Sequence, residues 1–330
     1  MRILVSGGAG YIGSTTAAHL ISAGHDVTVF DNLSRGHRKA VPESALFIEG
    51  DIGDRALLDQ VLPDRYDALV HFAALIEAGE SMLVPATYFA NNSCASITLI
   101  DAAAAHGIRY VVFSSTAAVY ASKDTPLRET DPIQPANVYG QSKRMIEEVL
   151  GWYRQLSGLN YCILRYFNAS GGSLSYDRLR GEDHTPETHL IPVMLQVALG
   201  QREHIAIYGD DYPTRDGTNI RDYIHIEDLA RAHELALQAL EDETIDQAVY
   251  NLGNGRGYSN KEVLDTVRRL TGNAIPAIMS PRRAGDAAEL IASSEKIRQE
   301  LGWEPLSPEL ETIIDTAWKW HSANPAGYDD

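Results

Sequence analysis

Arg2-Ile3-Leu4-Val5-Ser6-Gly7-Gly8-Ala9-Gly10-Tyr11-Ile12-Gly13 is the stretch on which the fold turns. Residues 3–5 form an apolar run of strand length, the glycines make a turn, and the chain from about Tyr11 reads as a helix. Strand, glycine turn and helix in that order open a dinucleotide-binding unit. Gly7 and Gly10 permit a tight turn and close approach of phosphate, Gly13 lets the helix pack on the strand, and a pyrophosphate sits near the helix N-terminus. The spacing is Gly-x-x-Gly-x-x-Gly, not the Gly-x-Gly-x-x-Gly of the common fingerprint, and alone it reads equally as an ordinary turn.

Outward from this loop, short apolar runs at 27–30, 46–48, 68–72, 110–113 and 162–166 alternate with helix-length amphipathic segments. That alternation predicts an α/β chain, a Rossmann-type doubly wound parallel sheet with helices on both faces. The runs are nearly continuous hydrophobics, as strands covered on both sides require. Near Asn168 the pattern changes, and glycine, serine and charged residues dominate to Glu187. Residues 1–168 therefore read as the dinucleotide-binding domain and 169–330 as a smaller C-terminal α/β lobe. Residues 224–239 look like another sheet-packing helix and 248–252 like another strand, so the chain is expected to return to the first domain through 224–252. Two long helices are expected at 84–106 and 138–155, and the tail from Ser322 reads as loosely specified.

Forty-five acidic against 28 basic residues leave a net charge of −17. Such a surface repels phosphate polymers and anionic bilayers, which excludes nucleic-acid and peripheral-membrane roles and leaves anionic ligands to local donors in a pocket. Cys94 and Cys162 lack the spacing of a zinc site or redox pair and are expected to be buried, reduced thiols. The chain runs from Met1 straight into its first strand, and no apolar run is long enough to span a bilayer, so a cytoplasmic location is expected.

Asp31 ends the second strand, where a carboxylate can accept hydrogen bonds from the adenine ribose hydroxyls and repel a 2′-phosphate. This favours NAD over NADP; Arg35 and Arg38 nearby are read as solvated. Asp51-Ile52 follows the third strand and either covers the adenine or caps a helix. Ser114-Ser115-Thr116 closes the fifth strand, and open α/β sheets bind ligands at carboxyl strand ends. Tyr139 and Lys143 stand four apart on one helical face, so an ammonium can lie beneath a phenol and favour its ionised form. A phenol of pKa about 10 is otherwise a poor base near neutrality. His184 and His189 lack a third and fourth ligand nearby in sequence, so no metal is expected.

With Tyr139-Gly140-Gln141-Ser142-Lys143, Gly7–Gly13, Asp31-Asn32-Leu33, Gly50-Asp51-Ile52, His71-Phe72-Ala73-Ala74, Asn91-Asn92 and Phe113-Ser114-Ser115-Thr116 in order, the chain resembles the extended short-chain dehydrogenase/reductases. Within them it is similar to the 4-epimerases of UDP-hexoses. The resemblance runs on through Leu164–Asn168, Asp211–Thr214, Arg221–His225, Tyr250–Gly253 and Pro281-Arg282-Arg283-Ala284-Gly285-Asp286. It implies NAD as cofactor, held by Gly7, Gly10, Tyr11, Ile12, Gly13, Asp31, Asn32, Asp51, Ile52, Phe72, Ala73, Ala74, Asn91, Ser114, Tyr139, Lys143 and Tyr166. It implies inversion at carbon 4 of UDP-glucose and UDP-galactose through a transient 4-keto sugar, with Thr116, Tyr139 and Lys143 catalytic. Asn168, Arg221 and Arg283 would donate to the UDP pyrophosphate, Tyr208 lie on the uracil and Asp286 meet a ribose hydroxyl. His189, Leu190, Tyr223 and Leu290 complete the implied substrate residues, Leu290 as a wall of the sugar pocket and His189 in place of an asparagine. Residues 169–330 thereby become a UDP-sugar lobe. Ala117 and Ala118 stand where related dehydratases carry acid and base, and two alanines move no protons. Ile76 stands where some members have a lysine. The helices 84–106 and 138–155 resemble the family's pairing surface, with Ile97, Ile100, Met145 and Leu150 surplus to one sheet-facing stripe, so a homodimer is expected. The rivals are an epimerase acting on N-acetylated or other UDP-sugars, and a non-catalytic NAD sensor.

Overall fold

Side-chain alternation along the first strand sets the layers. Strand β1 (Arg2–Ser6) sends Ile3 and Val5 into one apolar layer and Leu4 into the other, the period of two expected of a strand covered on both faces. The computed structural model describes every residue except Asp64, Ser122, Asp124, Thr125, Ala284, Gly285 and Asp330. After β1 come β2 (Asp26–Asp31), β3 (Leu46–Glu49), β4 (Ala68–His71), β5 (Tyr110–Thr116) and β6 (Asn160–Tyr166); then β7 (Asn168–Ser170), β8 (Ile205–Tyr208) and β9 (Ile220–His225). The last four are β10 (Gln247–Leu252), β11 (Gly257–Ser259), β12 (Ala277–Ser280) and β13 (Glu289–Leu290). A seven-stranded sheet has the order β10-β6-β5-β4-β1-β2-β3, with every pairing parallel. The order reverses at β1, whose neighbours are β2 and β4, and a crevice opens above their carboxyl ends.

One layer is closed by helices Tyr11–Ser22 and Ile226–Glu241, through Ala17, Leu20, Leu229, Ala232, Ala236, Leu237 and Leu240. The other is closed by Arg55–Val61, Ser96–Ala105 and Val138–Ser157, through Leu58, Leu99, Ile100, Ala103, Ile146 and Leu150. Ile100 and Leu150 are fully buried here, so they serve the core and are not left over for a partner.

Three local expectations change. The helix expected from 224 begins at Ile226, because Ile224 and His225 finish β9 and the His225 ring accepts the Glu227 amide as an N-cap at 3.2 Å. The helix expected over 84–106 is Pro85–Tyr88, a π-helical stretch Phe89–Ala95 and Ser96–Ala105. Within that stretch Asn92 is buried and grips Leu75, accepting its amide at 2.8 Å and donating to its carbonyl at 2.9 Å; widened turns of this kind are frequent at functional sites. Cys162 is buried as expected but Cys94 is exposed; both are free thiols.

The second lobe holds a four-stranded sheet of β7, β9, β11 and β13, and a β8–β12 pair. Helices Leu190–Ala198, Asn260–Thr271 and Leu310–Ala323 enclose its own apolar core around Met194, Val263, Ile313 and Ile314. The tail is tied down, contrary to expectation. The Tyr328 amide donates to Asp183 at 3.0 Å and its ring stacks on His37 at 4.9 Å. Among the described residues no helix is long and apolar enough to cross a membrane.

Candidate active site

The crevice between β1 and β4 is built by backbone contact. The Ser6 carbonyl accepts the amides of Phe72 at 2.8 Å and Ala73 at 3.2 Å, drawing the two strand ends together. Gly7 sits at φ +74°, and a Cβ there would stand 2.4 Å from the Ala73 nitrogen, so only glycine fits. The helix Tyr11–Ser22 then starts at Gly10 with no side-chain cap, leaving first-turn amides free for an anion. Asp31 is locked at the end of β2, accepting the Ala9 amide at 3.0 Å and the Leu33 amide at 2.8 Å; burial raises its pKa and these two bonds oppose the rise.

Every residue picked out from the sequence for the cofactor lines this cleft, Asp51 excepted. Asp51 accepts from Asn32 at 2.9 Å and from the Gly53 amide at 2.7 Å, so it supports the wall from behind, and the cap of the next helix is Asp54 instead. Arg35, read as solvated, also lines the cleft and donates to the Thr185 carbonyl at 2.8 Å. Ile76, Glu77, Glu80 and Phe167 line it too. Glu80 is followed by Ser81, which accepts the Tyr139 amide at 3.1 Å.

Tyr139 reaches Thr116 because its helix lies directly on the turn after β5. A Cβ on Gly140 would come within 2.3 Å of the Ala118 carbonyl oxygen, so the helix can approach that closely only with glycine there. Asn137 caps the helix by accepting the Gly140 amide at 2.8 Å. The Thr116 hydroxyl accepts the Ala118 amide at 3.1 Å and lies close enough to the Tyr139 phenol to pull its pKa down. Lys143 differs from expectation: its ammonium donates to the Ser114 carbonyl at 2.9 Å and faces the Phe113 ring. Burial pushes Tyr139 up to about 12 against the pull of Thr116, and burial brings Lys143 down to about 7. In the protein alone the phenol is therefore raised, with burial the largest cause and Lys143 not among the groups that act on it. Tyr166 hydrogen-bonds Ser114, and burial raises its phenol as well.

The substrate residues are more scattered. Asn168 and His189 line the cleft; Leu190, Tyr208, Arg221, Tyr223, Arg283, Asp286 and Leu290 do not. Strand register still links them, since Asn168 pairs with Tyr223 and Arg221 with Leu290. Arg221 donates to the Ala287 carbonyl at 3.0 Å and lies 3.6 Å from Asp286, while Arg283 covers the Tyr208 ring at 3.9 Å. Tyr223 is buried, and Leu290 packs into a small apolar cluster with Ala117 and Phe167. Ala284 and Gly285 of the Pro281–Asp286 motif lie outside the described residues.

The expectation that His184 and His189 have no companions is overturned. The loop between β7 and Leu190–Ala198 folds Glu182 and Glu187 onto them, and one ligand atom from each of the four lies within 4.8 Å of the others. The sequence offered Glu182 and Glu187 within the same eight residues, read there only as loop charge. Burial alone lowers a histidine, but contacts with the two glutamates outweigh it, holding His184 up to about 9 and His189 well above its usual value.

A family described as NAD dependent epimerase/dehydratase matches residues 3–253. A UDP-glucose 4-epimerase of Lacticaseibacillus casei is 51% identical over 100% of this chain and 99% of its own. Among solved structures, a UDP-glucose 4-epimerase superposes with a TM-score of 0.95 at 46% identity, covering 100% of both chains. The enzyme of that name from Brucella ovis, solved in complex with NAD, gives 0.92 at 43% identity over 96% of this chain and 97% of its own. With the glycine loop, the Thr116–Tyr139 pair and this likeness over the whole length, the chain belongs to the NAD dependent epimerase/dehydratase family.

Proposed function

We propose that the protein interconverts UDP-glucose and UDP-galactose by inverting carbon 4 through a transient 4-keto sugar. The observation that carries this is the pairing of Thr116 and Tyr139 in the cleft, followed by Ala117 and Ala118. A phenol and a hydroxyl can exchange the proton of a sugar alcohol, and two alanines offer no acid or base to expel a neighbouring hydroxyl. Reduction back to the alcohol is the route that remains for the ketone.

The cleft fits NAD. Uncapped first-turn amides suit a pyrophosphate, and the locked Asp31 carboxylate suits two ribose hydroxyls while repelling a 2′-phosphate. Bound there, NAD supplies a hydride acceptor that returns what it takes, and a positive charge that favours a phenolate. Tyr139 takes the proton of the 4-hydroxyl, directly or through Thr116, and gives it back. Lys143 supplies positive charge near Tyr139 and holds the nicotinamide ribose, and Tyr166 with Ser114 packs the cleft floor. Asn168, Arg221 and Arg283 hold the UDP pyrophosphate, for which the planar guanidinium fork is suited. Tyr208 takes the uracil, Asp286 a ribose hydroxyl, and His189, Leu190, Tyr223 and Leu290 border the sugar and phosphates. Residues 1–168 with 224–252 serve the cofactor and most of 169–330 the UDP-sugar.

A homodimer is part of the same proposal, supported by exposed Met82, Leu83, Val84, Trp152 and Leu156 beside the two long helical segments. Two free thiols suit a reducing cytoplasm, and the charge of −17 speaks against nucleic-acid partners. Incubation with UDP-galactose, coupled to detection of UDP-glucose, tests the reaction: conversion to an equilibrium mixture is expected, and no product from NAD-replete protein refutes it.

A further inference from the structure

We propose that Glu182, His184, Glu187 and His189 form a binding site for a divalent cation of the zinc type at the rim of the cleft. The two carboxylates are nine-tenths buried, with side chains 7% and 2% exposed, while the imidazoles keep an open side. Glu182, His184 and His189 line the cleft, so a cation entering from solvent has a path.

The geometry is that of a converging donor set. His189 Nδ1 stands 2.9 Å from Glu182 Oε1 and 3.0 Å from Glu187 Oε1. His184 Nδ1 stands 3.4 Å from Glu182 Oε1 and 3.6 Å from Glu187 Oε2. Donors on a tetrahedral zinc at bonds of about 2.0–2.1 Å are separated by roughly 3.3 Å; the four nitrogen–oxygen distances lie around that value, and the set as a whole, within 4.8 Å, would contract on binding. Hydrogen bonding alone leaves the cluster poorly satisfied. The His189 Nδ1 has one proton for two oxygens at nearly equal distance, and the His184 Nδ1 is buried without a well-formed hydrogen bond. Glu187 Oε1 already accepts the Thr188 and His189 amides at 2.8 Å; a divalent cation gives the remaining lone pairs a partner, and two neutral imidazoles with two carboxylates balance its charge. Imidazole nitrogen with carboxylate oxygen suits zinc, cobalt and nickel better than the all-oxygen preference of magnesium or calcium.

The cation would pin the 180–190 loop, joining the segment after β7 to the start of the helix Leu190–Ala198. Untagged protein, freed of metal with a chelator and dialysed, is titrated with Co2+ while visible absorption is recorded, and with Zn2+ by calorimetry. One equivalent per chain, with the visible bands of tetrahedral cobalt displaced by zinc, is the expected result. His184→Ala and Glu187→Gln should each weaken binding by at least about 100-fold, and zinc should raise the melting temperature of the unaltered protein only. Circular dichroism of both variants without metal reports whether they fold; should one fail, the other and the wild-type titration still decide. Absence of stoichiometric binding to the wild type, or full binding by either folded variant, overturns the site and leaves a quartet of ion pairs.

Discussion

The cofactor side and the nucleotide-sugar side of this molecule are built to different standards of readiness. Around β1, β4 and β5 each group that meets the cleft is already fixed by a partner that ligand need not disturb: Asp31 by two amides, Thr116 by Ala118, Lys143 by a carbonyl. In the second lobe the corresponding groups hold one another. Arg221 leans on Asp286 and on the Ala287 carbonyl, and Arg283 lies on Tyr208; the Arg221–Asp286 and Arg283–Tyr208 contacts join residues proposed to bind the same ligand. A substrate must displace or share them. The difference teaches that one side is preorganised by its sheet, whereas the proposed substrate groups are expected to exchange partners on binding.

The sharpest way to break the comparison is at Tyr139. Tyr139→Phe keeps the packed ring and removes the proton acceptor, so kcat should fall roughly 10²–10⁴-fold with bound NAD and circular dichroism unchanged; turnover near wild type would mean another base does the work. Next in size, Arg221→Ala should raise KM for UDP-galactose by roughly 10–100-fold, since a hydrogen bond to a charged group contributes about 1.5–3 kcal/mol. NAD content should not change, and its loss would show that the two sides are not separable. A smaller effect is expected at Leu290→Tyr, which should disfavour N-acetylated UDP-hexoses about tenfold relative to UDP-galactose by crowding the sugar. Equal losses on both substrates would remove Leu290 from the pocket wall.

The smallest effect concerns Lys143 in NAD-free protein. Its folded pKa of about 7 lies below the unfolded value of about 10.4. Between the two the unfolded chain binds more protons, so this group makes stability rise with pH over that window, and its penalty is complete below pH about 7. Lys143→Met should therefore melt a few degrees higher than wild type at pH 6, with the gap shrinking by pH 9. A gap independent of pH would mean that the lysine is charged or neutral in both states alike.

The same contrast explains what could be read from the residues. Strand ends of a parallel sheet converge by topology, so Gly7, Asp31, Thr116 and Tyr139 could be assigned to one cleft from their order and spacing, and they line it together. Lys143 shows the limit: helical spacing gives the face but not the depth of burial, and depth lowers its pKa. Tyr208, Arg221 and Asp286 depend on loops and on short strand pairings that no periodicity announces. Glu182 and Glu187 escaped because their meeting with His184 and His189 is made by a loop with no repeating pattern. The register break at Phe89–Ala95 went unseen since a π turn keeps helical composition.

Placing β10 at the edge of the main sheet, with Ile226–Glu241 over its first layer, also fixes an order of events during synthesis. Helix Tyr11–Ser22 covers the part of this layer over Ile3 and Val5, but the flank of β5 and β6 formed by Val112, Cys162 and Leu164 stays open until residues 226–252 have left the ribosome. A nascent chain halted near residue 168 thus exposes a greasy sheet that cannot finish folding, and it is there that chaperones should be found attached.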